Sequence, residues 1–186
     1  MFIIKNNYYL YIENTKSINL DFLKKNNKIT IIYRNYRNVE NFTKLNKFRK
    51  KCKIKNFKFY VANNYRLARS CKADGLYLSS YNKKHYLSCG FKLIGSAHNF
   101  KEIFKKVKQG CKTVILSRLF KTSYKIKTSY LGVIKFNLIK KKFAVDLVPL
   151  GGIRNQNLLS LNLVKSKGLC LLSEIKKKPA ISSRLF

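Results

Sequence analysis

Residues Phe57–Ser79, FKFYVANNYRLARSCKADGLYLS, carry the pattern that decides the fold. Phe57–Ala62 (FKFYVA) and Gly75–Ser79 (GLYLS) are short apolar and aromatic runs of strand type. A short polar and basic link joins them, with room for only a single helical turn. Six further runs read the same way: Tyr8–Glu13 (YYLYIE), Ile29–Arg34 (ITIIYR), Lys92–Gly95 (KLIG), Thr113–Ser117 (TVILS), Ala144–Leu150 (AVDLVPL) and Gly168–Leu172 (GLCLL). Several are apolar almost throughout, as strands covered on both faces should be.

Three longer segments between the strands have helical character. Val39–Lys55 places Val39, Phe42, Leu45 and Phe48 along one face. Asn99–Gln109 places Phe100, Ile103, Phe104 and Val107 at the i, i+3, i+4, i+7 spacing, with Asn99 and Glu102 as a capping box. Asn155–Lys165 carries Leu158, Leu159, Leu161, Leu163 and Val164. Strand and helix alternate through eight units, which predicts an α/β fold with a parallel sheet. Eight units predict a compact (β/α)8 barrel, a TIM barrel, spanning 1–186 as one domain. An open doubly wound sheet is the alternative.

The charge is extreme: 41 Lys+Arg against 7 Asp+Glu, a formal +34. Such an excess can serve phosphate-bearing partners. Yet 33 Lys, 19 Asn and 17 Ile against 8 Arg is also what A/T-rich codons produce, and the lysines are spread evenly. A nucleic-acid surface therefore ranks behind a general attraction for small anions. No uncharged apolar run approaches membrane-spanning length, and no secretory leader is legible, so no membrane partner and a cytoplasmic location are expected. Cys52, Cys71, Cys89, Cys111 and Cys170 form no CxxC pair, which favours reduced, buried thiols over a metal site. A homo-oligomer is possible.

In a barrel the site gathers at the carboxyl ends of the strands. Those positions hold Arg34, Asn63-Asn64, Ser79-Ser80 with Asn82, Ser96-Ala97-His98, Arg118 through Lys125, Gly151-Gly152 and Ser173. The rim is cationic, rich in hydroxyls and poor in carboxylates. Gly151-Gly152 allows backbone N–H groups to approach an oxyanion, and a helix starting near Asn155 would add its positive end. Plainer roles are also open. Ser96 and His98 can cap the helix after Asn99, Asp74 can fix a turn, His85 can be a surface residue of a short helix, and Asp146 can be a barrel-interior carboxylate paired with lysine.

Taken in order, the segments resemble the thiamine phosphate synthase family and its thiazole tautomerase branch. Asn63-Asn64 and Ala73-Asp74-Gly75-Leu76-Tyr77-Leu78 are similar to its "ND" motif and "ADGVHLG" strand. Gly95-Ser96-Ala97-His98 is similar to "GxSxH", Phe120 to Lys125 to "FxTxTK", Leu150-Gly151-Gly152-Ile153 to "IGGI", and Gly168 to Ser173 to "GVAVVS". The resemblance implies a transferase of thiamine biosynthesis that joins hydroxymethylpyrimidine diphosphate to thiazole phosphate, the pyrimidine leaving pyrophosphate as a stabilised carbocation. It implies Arg34, Lys125 and Ser96 as the catalytic set, with Arg34 and Lys125 on the diphosphate and Ser96, beside Asn63, on the pyrimidine. Thr122, Ser123 and Tyr124 would meet the thiazole phosphate, and Gly151, Gly152, Leu172 and Ser173 would cradle it. The partners are thus phosphorylated small molecules, and the cofactor is Mg2+. Two departures stand out. The family's metal-binding aspartates fall at Asn64 and Asn82, and the strand-six histidine of the tautomerase branch falls at Arg118. A barrel that binds phosphorylated thiazole or thiamine phosphate without turnover is the alternative.

Overall fold

The computed structural model describes residues 5–35, 40–86, 90–122 and 129–171. Eight parallel strands close on themselves in chain order. They are β1 Asn7–Ile12, β2 Ile29–Tyr33, β3 Lys58–Ala62, β4 Gly75–Leu78, β5 Lys92–Ala97, β6 Thr113–Ser117, β7 Asp146–Leu150 and β8 Gly168–Leu171. β8 pairs with β1, Leu171 opposite Leu10, so the sheet has no edge and the doubly wound alternative is excluded. β5 runs further than expected, through Ser96 and Ala97, which makes Ser96 part of the barrel wall.

Apolar continuity along the strands conceals a sorting into two cores. On β1, Tyr8, Leu10 and Ile12 pack outward under the helices. Tyr9 and Tyr11 pack inward with Ile32, Tyr60, Tyr77, Ile94, Ile115, Val148 and Cys170. Alternation along each strand thus survives, with both sides apolar. Four interior tyrosines give this barrel a bulky filling. Tyr60 fits because Gly75 has no side chain, and a Cβ there would collide with the Tyr60 ring.

Among the described residues, four α-helices cover the barrel: α1 Phe42–Ile54, α2 Tyr65–Ser70, α3 Phe100–Lys108 and α4 Gly132–Lys141. α1 and α3 fall inside the expected segments. Asn99 caps α3 through a Glu102 N–H bond to its Oδ1, and Glu102 accepts in return from the His98 N–H and the Asn99 amide. α4 has no amphipathic signature in the sequence, since Val133, Ile134, Phe136, Leu138 and Ile139 surround it and only Phe136 is buried. Asn155–Lys165 is not an α-helix but two 3-10 pieces, Asn155–Asn157 and Leu159–Leu163. Its leucines are too crowded to settle on one α-helical face, and Leu159 and Leu163 stay largely exposed. The helix dipole expected behind Gly151-Gly152 is therefore missing.

Two acidic residues also settle. Asp74 fixes the turn before β4, accepting the Phe59 N–H at 2.7 Å and pairing with Arg49 at 3.1 Å. Asp146 shares the inward-facing register of Val148 but sits at the open amino-terminal end of the barrel. It begins β7, exposed, and lines a cavity of about 400 Å3 at the amino-terminal end beside Lys58, Lys92 and Lys112. His85 is exposed in the loop after β4, outside any helix. Among the described residues, no helix is long and apolar enough to cross a membrane.

Candidate active site

The carboxyl-terminal mouth of the barrel is organised around two tyrosines. Tyr11 donates its hydroxyl to the Tyr77 oxygen at 2.8 Å inside the barrel, and the rings meet edge to face. Burial above all raises the pKa of both phenols, that of Tyr11 well above its ordinary value, so both stay neutral at physiological pH. Arg34, one residue past β2, lies over both rings, its Cζ 4.9 Å from the Tyr11 centroid and 5.6 Å from that of Tyr77. This cation–π seat fixes the guanidinium over the tyrosine pair, an arrangement a flexible ammonium would not reproduce. Ser96 comes up from β5 and bonds the Tyr77 hydroxyl. It does not cap α3.

Asn63 closes the same wall from β3. Its backbone N–H donates to the Tyr77 carbonyl at 2.9 Å. Its side-chain N–H groups go to Ser79 Oγ at 2.7 Å and the Tyr81 hydroxyl at 3.1 Å, while its oxygen accepts from the Ser79 N–H and the Asn82 amide. That is the full capacity of an amide. Asn63 is thus the staple between the loops after β3 and β4, and a substrate contact would displace one of these bonds. The Asn82 loop is pinned from outside as well. Lys106, buried in α3, reaches the Asn82 carbonyl at 2.8 Å, and Gln109 binds the Asn82 and Lys84 carbonyls. Burial lowers the Lys106 pKa.

The two asparagines at the positions where the resemblance implies metal ligands have local work. Asn64 caps α2, its Oδ1 accepting from the Leu67 N–H at 2.9 Å. The Asn82 oxygen accepts from the Lys84 N–H at 2.9 Å. Neither brings negative charge, and no group of three His, Cys, Asp or Glu able to hold a metal exists among the described residues. The donor set present does not fit a hard divalent cation such as Mg2+.

Opposite Arg34, the loops after β6 and β7 interlock. Leu119 and Phe120 donate their N–H groups to the Leu150 and Gly151 carbonyls. Gly151 and Gly152 both have positive φ, +99° and +69°. A Cβ at Gly152 would sit closer than 3.0 Å to the carbonyls of Phe120 and Lys121, so this glycine is demanded by loop packing, whatever else it does. Arg118 lies along Gly151, and its Nη1 donates to Thr122 Oγ1 at 2.7 Å. His98 meets Ser117 Oγ at 2.8 Å. Arg34, Asn63 and Ser96 therefore converge on one wall, and Thr122, Gly151 and Gly152 on the other. Lys125, Ser123, Tyr124, Leu172 and Ser173 lie outside the described residues. Sequence reading missed Tyr11 and Tyr77 as the hub and treated Arg118 only as a mismatch. The available signal was that Arg118 is one of just 8 arginines.

The model of the family described as thiamine monophosphate synthase matches residues 20–175. A thiamine-phosphate synthase of Prochlorococcus marinus subsp. pastoris is 33% identical over 117 residues, covering 60% of this chain and 33% of that protein. The same enzyme of a second Prochlorococcus marinus strain is 28% identical over 131 residues, 67% of this chain and 37% of its own. The chain thus spans about a third of the length of these curated relatives. Among solved structures, a thiamine phosphate pyrophosphorylase from Pyrococcus furiosus superposes with TM-score 0.76 at 15% identity, covering 96% of this chain and 91% of that one. A 3-hexulose-6-phosphate synthase follows the same fold, with TM-score 0.68 at 10% identity and 98% coverage of both chains. With its closed eight-stranded barrel and a family match running from the first turns through β8, the chain belongs to the thiamine monophosphate synthase family.

Proposed function

We propose that this chain is a transferase of thiamine biosynthesis that couples hydroxymethylpyrimidine diphosphate to thiazole phosphate. In that reaction the bond between the pyrimidine methylene carbon and the diphosphate oxygen breaks, pyrophosphate departs with the electron pair, and the thiazole nitrogen forms the new bond to carbon. One observation carries the reading. Arg34, Asn63 and Ser96, which the family pattern assigns to the same substrate, come from β2, β3 and β5 and all meet on Tyr77.

What the chain's own residues can do is position and stabilise charge. Arg34 offers a fixed positive charge to the departing diphosphate. The neutral, buried Tyr11–Tyr77 pair gives the site an apolar base on which Arg34 is seated. On the far wall Gly151 lets the Arg118 stem lie close, and Thr122 accepts from its head, so an oxyanion there would meet a guanidinium. The free, buried Cys52, Cys71, Cys111 and Cys170 accord with a cytoplasmic location.

The test is a coupling assay. Purified protein with both substrates, over a wide range of Mg2+ including none, should form thiamine phosphate, and Arg34→Gln should lower the rate by roughly 10²-fold or more. Absence of product at every metal concentration overturns the proposal.

A further inference from the structure

Arg118 is the residue on this mouth that the family pattern leaves without a role. It stands at the carboxyl end of β6, four strands round the barrel from β2 and Arg34, so the two residues belong to opposite sides of the mouth. Its side chain is half-buried and held at three levels. The stem runs along Gly151, where even a methyl group would approach Arg118 Cγ to 3.2 Å. The head donates to Thr122 Oγ1 at 2.7 Å. The backbone carbonyl of Arg118 accepts from the Leu131 N–H at 2.9 Å, which ties the segment to the chain leading into α4.

We propose that Arg118 is an anion-binding residue of this site, supplying by a fixed guanidinium the positive charge that a metal would otherwise bring, so that phosphate and pyrophosphate bind here without a divalent cation. This rests on the reading of the mouth as a phosphoryl-ligand site, and deepens it. The chemistry favours the exchange. A metal needs carboxylates to hold it, and at the two positions where the family places them this chain has amides whose oxygens accept local backbone N–H groups. The described glutamates with partners near the mouth are also engaged: Glu40 with the Thr15 backbone and hydroxyl, Glu102 with the His98 backbone and Asn99. A chain of formal charge +34 repels a free divalent cation and attracts a polyanion. A planar guanidinium matches two phosphate oxygens at once and needs no carboxylate support. Held against Thr122 and Gly151, Arg118 has little side-chain freedom left to lose on binding.

Calorimetric titration of the full chain with inorganic pyrophosphate, and separately with inorganic phosphate, tests this. Binding should be as tight in excess EDTA as in Mg2+. Arg118→Gln should weaken it about tenfold or more, and Arg118→Lys should fall between the two. Lys58→Gln, at the other end of the barrel, should change nothing, which separates a built site from general attraction to a basic surface. Each variant's melting temperature is measured alongside, and the lysine variant keeps the test valid if the glutamine variant unfolds. Binding that appears only with Mg2+, or equal affinities for Arg118→Gln and the parent, overturns the proposal. If the coupling assay gives no product while EDTA-resistant, Arg118-dependent pyrophosphate binding persists, the enzyme reading falls and this one stands.

Discussion

Replacing Gly152 and Gly151 by alanine, one at a time, separates two reasons for a glycine pair at the end of β7. Both backbones lie at positive φ, +69° at Gly152 and +99° at Gly151, so each alanine costs about 1–2 kcal/mol in backbone strain alone. The surroundings then divide them. A methyl group at Gly152 would press on the Phe120 and Lys121 carbonyls, main-chain atoms fixed by the Phe120 N–H bond to the Gly151 carbonyl. Overpacking against such atoms adds roughly 1–3 kcal/mol, for a total of about 2–5 kcal/mol. At Gly151 the nearest atoms are Arg118 Cγ at 3.2 Å and Cβ at 3.4 Å, which need shift by only a few tenths of an ångström, so less is added to the strain. Urea unfolding followed by far-ultraviolet circular dichroism should therefore show a large fall in midpoint for Gly152→Ala and a modest one for Gly151→Ala, with unchanged slopes. Gly151→Ala, still folded, should bind pyrophosphate more weakly because Arg118 has been pushed aside. A Gly152→Ala protein as stable as the parent, or a Gly151→Ala protein less stable than Gly152→Ala, would refute the argument.

Three other perturbations have expected outcomes. Tyr77→Phe removes the acceptor of the buried Tyr11 hydroxyl and should cost about 1–3 kcal/mol, whereas Tyr11→Phe leaves Tyr77 its Ser96 bond and should cost less; the ratio of urea midpoints checks the order. Burial raises the Cys111 thiol from 9.0 to about 11, so the neutral thiol's contribution is complete below pH 9 and is lost as pH climbs from 9 to 11. At 1.36 kcal/mol per unit this is about 3 kcal/mol, and the parent should lose that much more stability than Cys111→Ala across the window. Asn64→Asp should fold as well as the parent, since either residue caps α2, but Asn82→Asp replaces a donor to Asn63 Oδ1 with a repelling oxygen and should cost about 1–2 kcal/mol by thermal or urea unfolding.

The barrel was legible because its strands are nearly uninterrupted apolar runs, and Thr113–Ser117 was bounded correctly to the residue. The helices were legible only where one face is polar. α3 announces itself through Asn99, Glu102 and a clean apolar stripe, whereas α4 carries apolar residues on every side and has no period to read. Leucine-rich Asn155–Lys165 failed in the opposite sense, because composition alone does not distinguish an α-helix from shorter 3-10 turns. At the site, Arg34 could be placed from its rarity and its position one step beyond a buried strand. The Asn63 staple could not, because its partners Ser79, Tyr81 and Asn82 lie on another loop and only the closed barrel brings them together. Arg118 was hidden for a related reason: its supports, Thr122 and Gly151, belong to different strand–loop units.

Asparagine at the two positions where the resemblance implies metal-binding aspartates serves the architecture and brings no charge. At Asn64 the demand is for an oxygen three residues ahead of the Leu67 N–H, which an amide meets as well as a carboxylate. At Asn82 the amide does what a carboxylate cannot, because its nitrogen donates to Asn63 and so joins the loops after β3 and β4. Both asparagines thus support the architecture and bring no negative charge to the mouth. A mouth so furnished holds cations less well and anions better, and the only fixed charges placed on its two facing walls by described contacts are guanidiniums, Arg34 over the tyrosine pair and Arg118 beside the glycines. On the proposed reading, a phosphoryl ligand would depend first on the placement of those two side chains. That is why the tyrosine floor that seats one and the glycine that makes way for the other belong to the site as much as the groups that touch substrate.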